Sequence, residues 1–372
     1  MTSPLATSPF SGIDFSTLLS LASYMLFFVF IVYGQRIQYY ITANSVGKGV
    51  NRLNLIRQKA REETISYFSK IVSAGKGVSE RIDEFLDYVT IMPVDIDPKG
   101  LVQKIGHVAN TSDERLRGEV KNLLPNSDLV AVSVAQNLLE VSSALNQIHK
   151  VVRHFYLTGK KTNSYITLIQ LQMIMPQLIE IADALGKAIY SIELGQPIGD
   201  GAGPLVASRF LTNVPKEPIA KDTVMGVTEF KGRTLYVMKA EGPAGYVGQP
   251  GVAMEKIVEE MKVPLNAVIM VDAALKLEGE KTGEIAEGVG AAIGGLGVEK
   301  FEIEEVTSKH NIPVYAVLIK LSEVEAITAM RKEIADAAEK VYEIVQRIIE
   351  QKTKEGDKVL LAGIGNTLGV GQ

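Results

Sequence analysis

The hydrophobic pattern changes character twice along the chain. From Phe15 to Gln35 no charged residue occurs, and the core "LLSLASYMLFFVFIVY" is apolar on every side. At 1.5 Å rise per residue such a run crosses about 30 Å of hydrocarbon, so the pattern predicts one transmembrane helix over 15–35. Residues 1–14 carry a single charge, Asp14, and no basic n-region, which argues against a cleaved signal peptide. Arg36, Lys48, Arg52, Arg57, Lys59 and Arg61 follow the span. The positive-inside rule therefore puts 1–14 outside a cytoplasmic membrane and the bulk of the chain in the cytoplasm. Tyr33, Tyr39 and Tyr40 fall near the expected inner interface.

Residues 36–195 read as a helical domain. Leu53, Ile56, Ala60, Ile65, Phe68 and Val72 keep a helical stripe, and Val78, Ile82, Phe85, Leu86 and Val89 repeat it before the breaks at Pro93 and Pro98. Thr111 and Glu114 have capping-box spacing. Two long helices are predicted next, at about 127–156 and 164–194. The second is rich in Ile, Leu and Met yet interrupted by Gln170, Gln172, Gln177, Glu180, Asp183 and Lys187. It reads as a buried or oligomer-facing helix rather than a second span, kinked at Pro176.

From 196 to 372 the period shortens. "DTVMGVTEF", "RTLYVMKA", "NAVIMVDAAL", "PVYAVLIKL" and "KVLLAGIG" are strand-like and alternate with helical stretches at about 203–212, 251–262, 300–310 and 322–353. This alternation predicts a three-layer α/β domain with a mostly parallel sheet. Ser322 and Glu325 form a second capping-box pattern, and Gly356 ends the last helix.

Composition narrows the chemistry. There is no cysteine, and the four histidines, His107, His149, His154 and His310, lack ligand spacing. Thiolate catalysis and a His-rich metal site are thereby set aside. A net charge of −4, from 39 basic and 43 acidic residues, gives no concentrated basic surface for nucleic acid.

Acids and glycines gather where an α/β sheet binds ligands, beyond the carboxyl ends of strands. In "PIGDGAGP" Asp200 stands among Gly199, Gly201 and Gly203, as either a helix cap or an uncovered reactive carboxylate. Asp272 ends the apolar strand "NAVIMVDAAL", where a carboxylate ties a loop, binds a metal or does chemistry. "MKAEGPAGYVGQPG" offers Lys239, Glu241 and the amides around Gly245 and Gly248, either a cradle for an anion or peptide backbone or a plain loop. The glycine-rich stretch at about 276–300 has the look of a functional loop or lid. The final "GIGN", ending in Asn366, lacks the spacing of a dinucleotide site and the Lys-Ser/Thr of a P-loop.

Taken together these motifs resemble the germination protease and hydrogenase maturation endopeptidase superfamily, which has a phosphorylase/hydrolase-like fold. "GIGN" at 363–366 resembles the first strand of that fold, and "GDGAGP" at 199–204 resembles the acidic loop that directly follows it there. "GPAGYVGQPG" and "VIMVDAAL" look like its later loop and second aspartate strand, and "GVGAAIGGLGVEK" and "NIPVYAVLIK" look like segments beyond. The order is circularly permuted, so Asn366 is expected beside Asp200 in space. The resemblance implies that Asp200 and Asp272 act as an acid pair in peptide hydrolysis. Glu241 falls about one position from the middle metal-binding acid of the maturation enzymes. No histidine lies between Asp272 and Ala291, where those enzymes have their later ligand, so no cofactor is expected and a divalent metal is left open. The whole chain also resembles an archaeal membrane family defined as a domain of unknown function, which implies the architecture and no activity.

The expectation is a membrane-anchored cytoplasmic hydrolase, peptidase-like, with Asp200, Asp272 and Glu241 catalytic. Gly199, Gly201, Gly245, Gly248, Lys239 and Asn366 would hold a peptide or protein substrate. Membrane lipid and further copies of the chain are the other expected partners. The alternative is a non-catalytic oligomeric membrane scaffold that keeps the fold. A small-anion or nucleotide-fragment sensor is a third reading, without an Arg or Lys cluster to support it.

Overall fold

The structure, a computed structural model, describes residues 15–71, 77–93 and 100–371. The expected outer segment 1–14 and the break at Pro98 lie outside the described residues. The chain divides into two compact units, one made of residues up to Asn54 with His149–Ile179, the other of Leu55–Ile148 with Glu180 onward.

The first unit is helical. It contains the first part of α1 (Phe15–Ile71), the end of α4 (Leu129–Lys161) and the first half of α5 (Tyr165–Glu193). Ala43, Val46, Val50 and Leu53 recur at helical spacing and are buried. Gly47 lies against Tyr156 and Gly49 against Met175, so helices approach where side chains are absent. The stretch Phe15–Phe30 is exposed, with Phe15, Tyr24, Leu26 and Phe30 open to their surroundings. By length and composition α5 is the described helix that qualifies alone as a membrane span, and 22% of its most apolar stretch is buried. Phe15–Phe30 qualifies only together with Tyr33–Ile71, across a 41° bend. The second long helix, expected to be buried or oligomer-facing, buries one face at Leu168, Leu171 and Met175 and turns Ile166, Met173 and Ile174 outward.

In the second unit α2 (Val78–Leu86), α3 (Leu101–Leu123) and the start of α4 close around Phe68, Ile82, Leu86, Val120, Leu124 and Leu139. The Thr111 capping box does not form. Thr111 Oγ1 bonds back to the His107 carbonyl at 2.7 Å and the helix runs straight through it.

The remainder is a seven-stranded sheet in the order β1-β2-β3-β7-β4-β6-β5. Its strands are β1 (Lys216–Ala220), β2 (Thr223–Phe230), β3 (Arg233–Ala240), β4 (Ala267–Leu275), β5 (Ile285–Val289), β6 (Val314–Leu321) and β7 (Lys358–Gly363). Strands β3, β7, β4 and β6 are parallel, whereas β1, β2 and β5 are joined antiparallel. The sheet is thus mixed rather than mostly parallel, because hairpin-connected strands at one edge and β5, which joins β6 antiparallel across α8 (Val298–Lys309), at the other flank the parallel centre. One face packs on α6 (Ala202–Phe210) and α10 (Lys332–Lys352). The other packs on α7 (Pro250–Glu255), the turn that follows it, and α8 (Val298–Lys309). The chain's last strand is its most enclosed: Val359, Leu360, Leu361 and Ala362 are wholly buried, as an apolar run between two parallel neighbours must be.

The expected single helix over 322–353 is two, α9 (Glu323–Ile327) and α10. Ser322 does cap α9 with the reciprocal Glu325 bond, but extended backbone at Thr328 and Arg331 interrupts the run, and Ala329 bridges to Ile198.

Within this unit α3 is fastened to the sheet edge by polar contacts. Arg117 grips Asp222 through both nitrogens at 3.0 and 2.5 Å, and Lys221 reaches Asp113 at 2.6 Å. Gln249 donates to Asn110 at 2.8 Å. Asp222→Asn keeps a residue tolerant of its positive φ of 51° but removes the charge. It is expected to lower unfolding stability by about 1–3 kcal/mol in urea titrations, with the loss abolished in an Arg117→Ala background.

Candidate functional site

Three segments converge beyond the carboxyl ends of the parallel strands. β7 pairs with β4 as far as Gly363 opposite Val271, so Asp272, the next residue, has a strand neighbour only on the β6 side, at Leu318. Past β7 the Ile364 amide donates to the Val271 carbonyl at 2.8 Å, and Gly365 turns at φ 128°. The Asn366 amide then donates to Asp200 Oδ2 at 2.8 Å. The terminal strand thus meets the acidic glycine turn across a separation of 166 residues.

Glycine makes that meeting possible. A Cβ on Gly365 would strike the Asp200 carbonyl, and one on Gly203 would strike the carbonyls of Ile364 and Val271. Gly199 and Gly201 do the same work against Glu325 and Asn366. Their own amides are bonded within the fold, Gly199 to the Thr328 carbonyl at 3.1 Å and Gly201 to the Ile198 carbonyl at 2.9 Å.

Asp200 and Asp272 line one cavity of about 680 Å³, together with His107, Gly248, Glu299 and Gly365. Burial pushes the Asp200 carboxyl up, opposed by the Asn366 amide. The Asp272 carboxyl is pushed up to about 8, first by burial and then by the charge of Asp200. Its Oδ1 accepts the Ala273 amide at 2.7 Å. The pair therefore holds an acid, Asp272, that keeps its proton at neutral pH, beside a second carboxyl that burial also raises and whose ionised form the Asn366 amide favours.

Other expected site residues stand elsewhere. Glu241 is exposed and outside the cavity lining, and its backbone is engaged by Asp222 and Thr367. Lys239 is 2% exposed, donates to its neighbour's carbonyl, Ala240 O, and has its amine lowered to about 8 by burial. By strand alternation it shares a face with Val237, on the α6 and α10 side, whereas Asp272 shares the opposite face with Met270. Gly245 serves α4: its amide donates to Ser133 Oγ and its carbonyl accepts Asn137 Nδ2 and Asn366 Nδ2. Of the glycine loop, Gly248 reaches the cavity.

Several lining residues had no place among the expected ones. His107 and Gln103 come from α3, and Glu299 and Glu302 from the first turns of α8. The i, i+3 spacing of the two glutamates after a glycine run was the visible signal; nothing in the sequence pairs α3 with β4. Among the described residues no three His, Asp or Glu side chains come together as a metal site would require.

Residues 20–195 match the N-terminal domain of a family described as protein of unknown function (DUF1512), and residues 198–371 match the C-terminal domain of unknown function of the same family. The chain belongs to the DUF1512 family. The division between the DUF1512 domains falls just ahead of Asp200, so both aspartates lie in the C-terminal one. No curated protein matches the chain.

Proposed function

We propose that the protein is a hydrolase that cleaves peptide bonds with Asp200 and Asp272, held at a membrane by the apolar start of α1. The observation that carries the reading is the pair's shared cavity, with Asp272 raised to about 8 partly by its neighbour's charge. A water between them would lose a proton to the Asp200 carboxylate as its oxygen attacks the substrate carbonyl carbon. Asp272 would give its proton to the carbonyl oxygen. On collapse the C–N bond breaks, the proton held by Asp200 passes to the leaving amine, and a hydroxyl of the diol returns its proton to Asp272, which leaves a carboxylic acid and restores both aspartates. The likeness of "GIGN" and "GDGAGP" to the peptidase motifs supports a peptide as the substrate. The exposed run Phe15–Phe30 supports the anchor, and the basic residues after it support a cytoplasmic position for the cavity.

One observation favours the scaffold reading: α5 turns Ile166, Met173 and Ile174 outward, a surface suited to a second copy. Incubation of the full-length chain with a peptide library, read by mass spectrometry, separates the two. Cleavage by the wild type that disappears in Asp200→Asn and Asp272→Asn is the expected result. Equal cleavage in all three proteins would remove the aspartates from the mechanism, and no cleavage by any would leave the scaffold.

A further inference from the structure

We infer that the tip of the hairpin between α4 and α5 is a second membrane contact, at which Lys160 and Lys161, level with Arg36, bind the headgroups of anionic lipids; this rests on the membrane anchor proposed above. The chain as a whole has a net charge of −4, but that total hides a segregation. The described residues of the first unit, 15–54 and 149–179, contain seven lysines and arginines and no aspartate or glutamate. A unit without acids cannot neutralise itself by internal ion pairs. Arg36, Lys48, Arg153, Lys160 and Lys161 are moreover all exposed. Such a surface attracts an extended anionic partner.

Contacts within the unit fix where the charge lies. α4 runs antiparallel to α1: a Cβ on Gly47 would stand 2.8 Å from the Tyr156 hydroxyl, and Tyr39 Oη donates to the Lys160 carbonyl at 3.4 Å. α5 returns beside α1, with Gln172 reaching Ser45 Oγ at 3.5 Å and Met175 packed at Gly49. Because α4 ends at Lys161 and α5 begins at Tyr165, the turn between them lies level with Tyr39 and Arg36. Tyr39 follows the uncharged run ending at Gln35 by about one helical turn, roughly 6 Å along the axis. When that run spans the hydrocarbon, the hairpin tip falls at the depth of the headgroups.

The tip has the composition that layer selects. Lys160 Nζ lies 5.5 Å from the centre of the Tyr156 ring, and Ile37, Tyr40, Ile41, Phe155 and Leu157 are exposed within two turns of it. Such side chains enter the acyl boundary while the ammonium groups reach phosphate. A nucleic acid would match the charge but would leave these apolar side chains in water. The exposed Lys48 and Arg153, further along the same helices, keep the bundle out of the hydrocarbon, and α5 with it. The unit thus stands on the membrane rather than within it.

The test uses the full-length chain, which has no cysteine, with Thr162→Cys in the exposed turn carrying a fluorophore. The protein is reconstituted into vesicles of phosphatidylcholine and phosphatidylglycerol at equal mole fraction, in which one lipid or the other has brominated chains. Brominated phosphatidylglycerol is expected to quench at least about threefold more strongly, a ratio that Lys160→Gln/Lys161→Gln brings close to one and high salt lowers. Flotation reads the anchor separately, since wild type and double variant should both stay with vesicles of phosphatidylcholine alone. Vesicle-bound protein quenched equally by the two lipids, or by neither, overturns the hairpin contact and leaves the anchor intact. Recovery only with phosphatidylglycerol vesicles, lost in the double variant, overturns the anchor and leaves the hairpin contact; recovery with neither kind overturns both. Binding of an RNA oligonucleotide that the double variant abolishes, with a quenching ratio near one, assigns the basic surface to nucleic acid and overturns the inference. Circular dichroism confirms the fold of the double variant, and Arg36→Gln, expected to lower the ratio as well, serves if that variant fails to fold.

Discussion

Asp272→Asn is expected to unfold at higher urea concentration than the wild type at pH 9 while losing the hydrolytic activity proposed above. The native Asp272 carboxyl is raised from 3.8 to about 8, by burial and by Asp200. An acid raised in the native state binds its proton more tightly there than in the unfolded chain. Its contribution to stability is therefore complete below pH ~4, falls as pH rises, and is gone above about 8. At about 1.4 kcal/mol per pH unit the full displacement corresponds to roughly 6 kcal/mol, and water admitted by the cavity reduces it. Asparagine carries no charge to desolvate, so the variant should gain roughly 2–4 kcal/mol at pH 9 and little at pH 4. A gain independent of pH would show that the carboxyl is not raised. On the proposed mechanism, in which Asp272 is the general acid, its removal should lower turnover about 10²–10⁴-fold. Wild-type turnover should likewise fall above about pH 8, as Asp272 gives up its proton. Stability bought at the cost of activity is the mark of a strained functional group.

What could be seen in the sequence was whatever depends on local chemistry. The meeting of β7 with the Asp200 turn was expected from the resemblance of "GIGN" and "GDGAGP" to adjoining motifs, and the structure adds the physical reason that Gly203 and Gly365 stand where backbones approach closely. The central strands showed themselves as long apolar runs. The edge strands did not: β1 contains Pro218, β5 contains Gly288, and both are largely open to solvent, so neither has the apolar alternation that marks a strand. Two capping boxes of the same spacing came out differently. Ser322 precedes its helix in extended backbone, whereas Thr111 sits within one. Lys239 could not have been excluded, because its opposite face from Asp272 follows from the β3–β7–β4 register, which two strands apolar on both faces do not reveal. His107 could not have been included, because its place over the cavity is set by the Arg117–Asp222 and Gln249–Asn110 contacts that hold α3, pairs far apart in the chain.

Gly203→Ala is expected to destabilise the α/β domain by roughly 3 kcal/mol or more, against the usual gain from alanine in a helix. Gly203 lies in the first turn of α6, and its missing side chain faces the Ile364 and Val271 carbonyls and, at 2.9 Å, the Ile364 nitrogen. Those atoms are backbone, and the Ile364 amide is already bonded to the Val271 carbonyl at 2.8 Å, so the obstacle cannot rotate away. Relief requires α6 to withdraw from the end of β7, or that hydrogen bond to open. Gly118→Ala is the matched control. It too is helical, in α3, but a Cβ there meets nothing within 4 Å, and alanine should gain about 0.5–1 kcal/mol. Urea titration of both variants reads the difference, and a Gly203→Ala protein as stable as wild type would mean that α6 does not press on the junction of β4 and β7. The same withdrawal would carry Asp200 away from the Asn366 amide that favours its ionised form. The surviving folded fraction should therefore hydrolyse more slowly and with its acid limb moved upward in pH, an effect that a purely structural glycine far from the aspartates would not produce.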